Sequence, residues 1–328
     1  MKKTGAILFI LAGFILGLGG GTALALDKVI YSLNWTPQAQ HIPFFAAKGK
    51  GFYEKEGIDV DIQKGAGSGK TIQRVATGDS EFGLASAVNL VQAIPKGIGN
   101  VRLIGAVFCN SPQLIVSLKK NNWTKPQDVV DKKVATTAFA ALRHVLPILF
   151  LRNNVKGKAE FLLMDSGVIF QSVMAGTADF GDNYTPNMPS WSALAKKAGV
   201  ELNVMNFAEF GLNHYDLSLI CSTETMKNKP DLVKRFLKAT YQGFRFTKEN
   251  PDAAVDLFIK FNPVLNRETN KEGLNATFAL LEDDYTKKHG LGMMDPQKIQ
   301  ATIDLVREGF QIEKTIKADD FYTNKYLK

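Results

Sequence analysis

The chain is poor in the residues from which metal and nucleophile sites are built. Of 328 residues only two are cysteine, Cys109 and Cys221, and four are histidine, His41, His144, His214 and His289. No C-x-x-C and no H-x-x-x-H pair occurs, which argues against a zinc or iron site. No G-x-S-x-G is present, so a serine-hydrolase elbow is absent. Asp182 and Glu209 are conceivable as an acid/base pair, but nothing in the sequence fixes their separation. Charge runs of one sign are missing too: the lysines are scattered rather than arrayed between aromatics, which reads as a solvated surface and not a nucleic-acid footprint. An enzyme has no constellation to stand on, and no cofactor or metal is expected. With two cysteines a bridge is permitted in an oxidising compartment, but two buried free thiols are the preferred reading.

Apolar runs are also short, and the longest has a specific meaning. Lys2 and Lys3 precede an uncharged stretch over residues 6–18, and Ala23-Leu24-Ala25 follows. That order, a charged start, an apolar middle and an A-x-A site, reads as a cleavable export signal over residues 1–25. The stretch is too short to span a bilayer comfortably; a retained anchor is the competing reading. No cysteine lies near the cleavage site, so a free periplasmic protein is expected rather than a lipid-anchored one. Of the 40 basic residues two fall in the leader, leaving 38 against 32 acidic.

The rest of the chain is ordinary in bulk, with 45% hydrophobic and 22% charged residues. Its length suits two lobes, each with its own core. An internal repeat supports that division. Residues 72–86 read IQRVATGDSEFGLAS and residues 170–184 read FQSVMAGTADFGDNY. Without gaps, Gln73 pairs with Gln171, Val75 with Val173, Gly78 with Gly176, Phe82 with Phe180 and Gly83 with Gly181, while Glu81 faces Asp179. Each copy reads as an amphipathic helix, a glycine stop, an acidic turn and a short strand. Equivalent strand ends then face each other across a cleft, one offering Ser86 and Asn89, the other Asp182, Asn183 and Tyr184. Strands alternate with helices up to about residue 221; a helical third follows, over residues 230–249, 251–261, 271–285 and 296–309. This is an α/β pattern with helices added to one lobe. Lobe I is expected over residues 26–115 plus 220–328, and lobe II over 116–219.

The most informative stretch is residues 33–53, LNWTPQAQHIPFFAAKGKGFY. A short apolar run ends by spilling Asn34, Trp35, Gln38, Gln40 and His41 into a turn before a helix. Ligands of α/β sheets sit beyond such strand ends. A second signal is residues 64–71, KGAGSGKT, between a strand and a helix. It nearly matches a phosphate loop, but Lys64 stands where the first glycine is required and no strand ending in a magnesium-binding aspartate follows. What survives is a glycine-serine turn, with Ser68, that offers free N–H groups to an anion or a carbonyl.

The opening NWTPxxxHxPFFxAxxxGFYxxxGIDVDI, residues 34–62, resembles the periplasmic solute-binding proteins of the nitrate, sulfonate, taurine and thiamine-pyrimidine group, and the resemblance continues to the C-terminus. It implies a type II periplasmic-binding-protein fold, two α/β lobes around a ligand cleft, acting as a monomer that delivers a small molecule to an ABC permease. For the pyrimidine branch it implies an Asn-Trp opening and a tyrosine on the second lobe, matched here by Asn34, Trp35 and Tyr184. A flat ring would lie between the two aromatics, with Asn34, Asn89, Asn183 and Asp182 reading its nitrogens. The sulfonate, taurine or nitrate branch would instead use helix N-termini and a cation: Ser68, the turn after Ser86, and Thr136-Thr137 with Arg143. Arg143 on a helix is more often solvated than liganding, and for His41 a ligand contact and a loop-holding role stand level. Phe108 and Phe139 read first as core, with the cleft wall as alternative. The family also resembles a fungal pyrimidine synthase that uses pyridoxal phosphate and consumes its own histidine; its CCCFC-type motif is missing here. The reading expected from the residues is therefore an importer component binding a pyrimidine precursor of thiamine, with a sulfonate, nitrate or aromatic carboxylate binder second.

Overall fold

The computed structural model describes residues 25–327. The proposed export signal, apart from Ala25, lies outside the described residues. Ten strands form two five-stranded sheets among them. In chain order they are β1 (Asp27–Ser32), β2 (Ile58–Gln63), β3 (Phe82–Ser86), β4 (Val101–Ala106), β5 (Gln113–Leu118), β6 (Lys133–Thr136), β7 (Glu160–Leu163), β8 (Phe180–Tyr184), β9 (Leu202–Asn206) and β10 (Leu217–Ser222). The first sheet runs β2-β1-β3-β10-β4 and the second β7-β6-β8-β5-β9. Each has a parallel trio and one antiparallel strand inserted next to it, β10 in the first and β5 in the second. The inserted strand is in each case the one that has just crossed from the other sheet.

The repeat read from the sequence is therefore a repeat in space. β3 and β8 occupy the same place in their sheets and begin at the paired Phe82 and Phe180. The paired acids are anchors of the same kind. Glu81 Oε2 accepts from the Ile30 amide at 2.8 Å, and Asp179 Oδ2 accepts from the Lys133 amide at 2.8 Å. Gly78 and Gly176 close their helices at φ of 83° and 71°, where a side chain would be strained.

Both inserted strands lie whole within one sheet. Boundaries at 115/116 and 219/220 cut through β5 and β10, so the sheets place the passages earlier, at residues 107–112 and 207–216. These passages touch: the Phe108 amide donates to the Leu217 carbonyl at 2.7 Å, and the Asp216 amide donates to the Phe108 carbonyl at 3.1 Å. Among the described residues, these two hydrogen-bonded passages are the covalent routes between the lobes.

Helix Pro230–Glu249 shows why the C-terminal third returns to the first sheet. Proline at its first turn and Asp231 suit a helix start. Leu232, Val233, Phe236, Leu237 and Phe244 recur at helical spacing and are buried. Phe236 stacks on Phe82 of β3 at 3.9 Å and meets Tyr31 of β1 at 5.4 Å. The expected helix over 271–285 is instead two, Arg267–Leu281 and Asp284–His289. The break has a capping cause: Asp283 accepts from the Thr286 amide at 2.9 Å and starts the second helix. The edge strand β7 carries no alternating pattern and is not apparent from the sequence.

Two helix contacts also join the lobes. Helix Leu142–Arg152 of the second lobe packs on helices Ala87–Ala93 and Pro296–Phe310 of the first. Helix Arg267–Leu281 of the first packs on the turn Thr185–Asn187 and helix Met188–Lys197 of the second. Cys109 and Cys221 are both buried free thiols. No helix of the described residues is long and apolar enough to cross a membrane.

Candidate functional site

Between the lobes lies a slot-like cleft with a volume of about 490 Å³. Its walls come from equivalent places in the two lobes. The loop after β1 gives Asn34, Trp35, Gln38 and Gln40, and the loop after β6 gives Ala140 and Ala141. Ser68 opens one repeat helix, and Ser166 lies just before the other. The end of β8 adds Asp182, Asn183 and Tyr184, joined by Gln113, Ile169, Asn187 and Trp191.

Asn34 is held from behind. The Gln38 amide donates to His41 Nδ1 at 3.0 Å, so the imidazole proton sits on Nε2, which donates to Asn34 Oδ1 at 3.0 Å. Asn34 is thereby left with its NH₂ for the cleft. His41 itself is fully buried, and burial lowers its pKa to about 3, so it stays neutral. It is a positioning residue for Asn34 rather than part of the wall.

The opposite wall is acidic. Asp182 accepts from Gln113 Nε2 at 2.9 Å and from Thr136 Oγ1 at 2.5 Å. Burial raises its pKa to about 6 against the pull of those bonds. Tyr184 donates its hydroxyl to Asp216 Oδ1 at 3.2 Å. Asp216 is fully buried in the second passage, and burial raises its pKa to about 7; the Ser86 and Tyr184 hydroxyls oppose the rise and the charge of Asp182 adds to it. No lysine, arginine or histidine lines the cleft among the described residues.

Apart from Ser68, the groups named for a small anion are engaged elsewhere. The Gly69 amide of the glycine-serine turn donates to the Phe139 carbonyl at 3.1 Å, and Thr137 Oγ1 donates to the Ala66 carbonyl at 3.4 Å. The turn thus receives a carbonyl of the opposite lobe. Gly67 makes this approach possible: at φ 117°, a Cβ there would stand 2.5 Å from the Phe139 carbonyl carbon. Arg143 Nη1 bonds the Ala138 carbonyl, 2.5 Å away, and Arg143 lies outside the cleft wall. The residues before Leu142 form this docking turn, and the helix that carries Arg143 begins only at Leu142.

Asn34, Trp35, Ser68, Asp182, Asn183 and Tyr184 are thus brought together at one cleft. Ser86 and Asn89 are buried outside its wall. Phe108 is buried in the core of the first lobe, and Phe139 is 39% exposed with its backbone in the lobe contact. The sequence reading missed Gln113, Ser166, Asn187, Trp191 and Asp216. Ser166 had a signal: carrying the repeat back to residue 68 pairs Ser68-Gly69 with Ser166-Gly167. Asp216, which lies behind the wall and bonds Tyr184, had none, because it is remote in sequence from Tyr184.

Comparison with known proteins decides the family. The profile described as NMT1/THI5 like matches residues 38–254, more than half of the chain. The chain belongs to the NMT1/THI5-like family. Similar proteins include the formylaminopyrimidine-binding protein of Halalkalibacterium halodurans, 24% identical over 92% of this chain and 91% of that one. The riboflavin-binding protein RibY of Chloroflexus aurantiacus is 21% identical over 92% and 86%. A 4-amino-5-hydroxymethyl-2-methylpyrimidine phosphate synthase of Legionella pneumophila is 25% identical over 73% and 75%. Among solved structures, the alkanesulfonate-binding protein SsuA of Xanthomonas axonopodis pv. citri has a TM-score of 0.71 at 14% identity, covering 92% of this chain and 99% of that one. This NMT1/THI5-like chain therefore has the two-lobed periplasmic-binding-protein fold, and both binding proteins and a synthase stand among its relatives.

Proposed function

We propose that this protein is the solute-binding component of an ABC importer and that its ligand is a flat, amine-bearing heterocycle, a pyrimidine precursor of thiamine. One observation carries the choice of ligand. The slot presents aromatic faces and amides beside a buried carboxyl, with no cation among its described lining residues. A nitrate or sulfonate placed there would meet Asp182 without a compensating charge, and burying an unpaired charge is costly. A neutral ring with exocyclic nitrogens has the opposite fit: Trp35 and Tyr184 can cover its faces, and Asn34 and Asp182 can pair its edges. The formylaminopyrimidine-binding relative supports the same choice.

The protein acts in the periplasm as a monomer, and the loaded, closed form is the one that docks on an inner-membrane permease. Against a synthase stand the missing cysteine-rich motif and the placement of His41, both of whose ring nitrogens are engaged within its own loop. The test is a thermal-shift panel of pyrimidines, thiamine, riboflavin, taurine, alkanesulfonates, nitrate and aromatic carboxylates with the purified protein. A ligand that binds only the folded state raises Tm. The reading predicts a rise with aminopyrimidines that Trp35→Ala abolishes. A rise with sulfonate that survives Trp35→Ala would overturn it.

A further inference from the structure

Gln113 is the cleft residue whose free polar atom the fold fixes most firmly. It begins β5, directly after the first passage, and stands opposite Tyr184 in register. Its side chain is fully buried and lines the cleft. Nε2 faces three acceptors, the Leu114 carbonyl at 3.0 Å, Asp182 Oδ1 at 2.9 Å and the Asn183 carbonyl at 3.2 Å, and its two hydrogens are shared among them. Reversing the amide would set its oxygen against three acceptors, so the network decides the orientation. Oε1 is left buried without a partner. Such an atom costs free energy until a donor arrives. Two of its cleft neighbours cannot supply one. Ionised Asp182 only accepts, and Tyr184 spends its hydroxyl hydrogen on Asp216.

We infer that Gln113 is a specificity-determining residue whose Oε1 accepts a hydrogen bond from an exocyclic N–H of the ligand. The inference rests on the heterocycle reading above and adds to it. The ring must carry an amine on the edge facing the second sheet, and a ring with a methyl group in that place is rejected although its shape and stacking are the same. A site built to bond an N–H discriminates strongly against an analogue lacking it, because the buried acceptor then stays unpaired.

Titration calorimetry with 4-amino-5-hydroxymethyl-2-methylpyrimidine and with its isostere bearing 4-methyl in place of the amine tests this. The wild type should prefer the amine by at least about tenfold, the size of one lost buried hydrogen bond. Gln113→Leu should lose most of that preference; because it also removes the bonds to Asp182 and Asn183, the readout is the ratio of the two affinities. Equal binding of the two rings by the wild type, or equal weakening of both by Gln113→Leu, overturns the role of Gln113. The wild-type comparison stands even if the variant does not fold. Failure of both rings to bind the wild type would sink the heterocycle reading and this inference with it, whereas equal binding sinks the inference alone.

Discussion

The two lobes share a scaffold and differ in what they mount on it. In both, the residue after the repeated strand is bonded to the incoming passage: the Ala87 amide donates to the Asp216 carbonyl at 2.9 Å, and the Thr185 amide to the Pro112 carbonyl at 3.0 Å. At the strand ends the likeness stops. The first lobe has Ser86, buried outside the cleft wall, and lines the cleft from the loop after β1 and from Ser68. The second keeps that loop small, with Ala140 and Ala141, and places Asp182, Asn183 and Tyr184 on the strand itself. Backbone bonds and the Glu81/Asp179 anchors hold the duplicated frame, so loop and strand-end side chains are free to differ. Both walls carry aromatics and amides, and the carboxyl, Asp182, is on the second alone.

The widest difference lies between Trp35 and its counterpart on the small loop. Trp35→Ala should weaken pyrimidine binding about a hundredfold, as removal of a stacking anchor does, whereas Ala140→Gly should change it by less than about threefold; calorimetry measures both. Comparable losses would mean that the walls contribute alike. Next comes the lobe contact. Gly67→Ala puts a methyl group against the Phe139 backbone, and should cost about 2–3 kcal/mol in urea unfolding. The aligned position in the other lobe is Asp165, already an exposed side chain, and Asp165→Ala should stay within about 0.5 kcal/mol.

Asp216 against Pro112 gives a pH signature. A carboxyl whose folded pKa is about 7, above its unfolded value, binds more protons folded than unfolded, so its contribution to stability falls as pH rises between about 4 and 7. Asp216→Asn should raise Tm relative to the wild type at pH 8, with the gap closing toward pH 4. Thermal melts across that range check the sign, and a gap that widens on acidification would contradict it. The smallest effect tests the likeness rather than the difference. Glu81→Gln and Asp179→Asn should each cost about 1 kcal/mol, since each loses the same charge-assisted bond to a strand amide. Unequal costs would mean the two anchors are not equivalent.

The scaffold was readable because it is local and doubled. Residues 72–86 and 170–184 announce one unit used twice, and the helices Pro230–Glu249 and Pro251–Phe261 start at their prolines and run to the residues expected. Half of the cleft was readable for the same reason, since Asn34, Trp35 and Tyr184 stand at predictable strand ends. The remainder depends on contacts that no short window contains. Nothing near residue 139 says that its carbonyl caps a glycine turn in the other lobe, so Thr137 and Arg143 passed as an anion site when they are internal ties. Nothing near Gln113 says that three acceptors will fix its amide. Asp216 approaches Tyr184 only because two passages between the lobes pair with each other.

The central claim is that the cleft takes a flat, amine-bearing ring and not a small anion. Calorimetric titration of the wild-type protein with 4-amino-5-hydroxymethyl-2-methylpyrimidine and, separately, with taurine tests it most directly. Saturable binding of the pyrimidine is expected, with a Kd of about 1 μM or tighter, and no heat of binding from taurine. Saturable binding of taurine with none for the pyrimidine would contradict it.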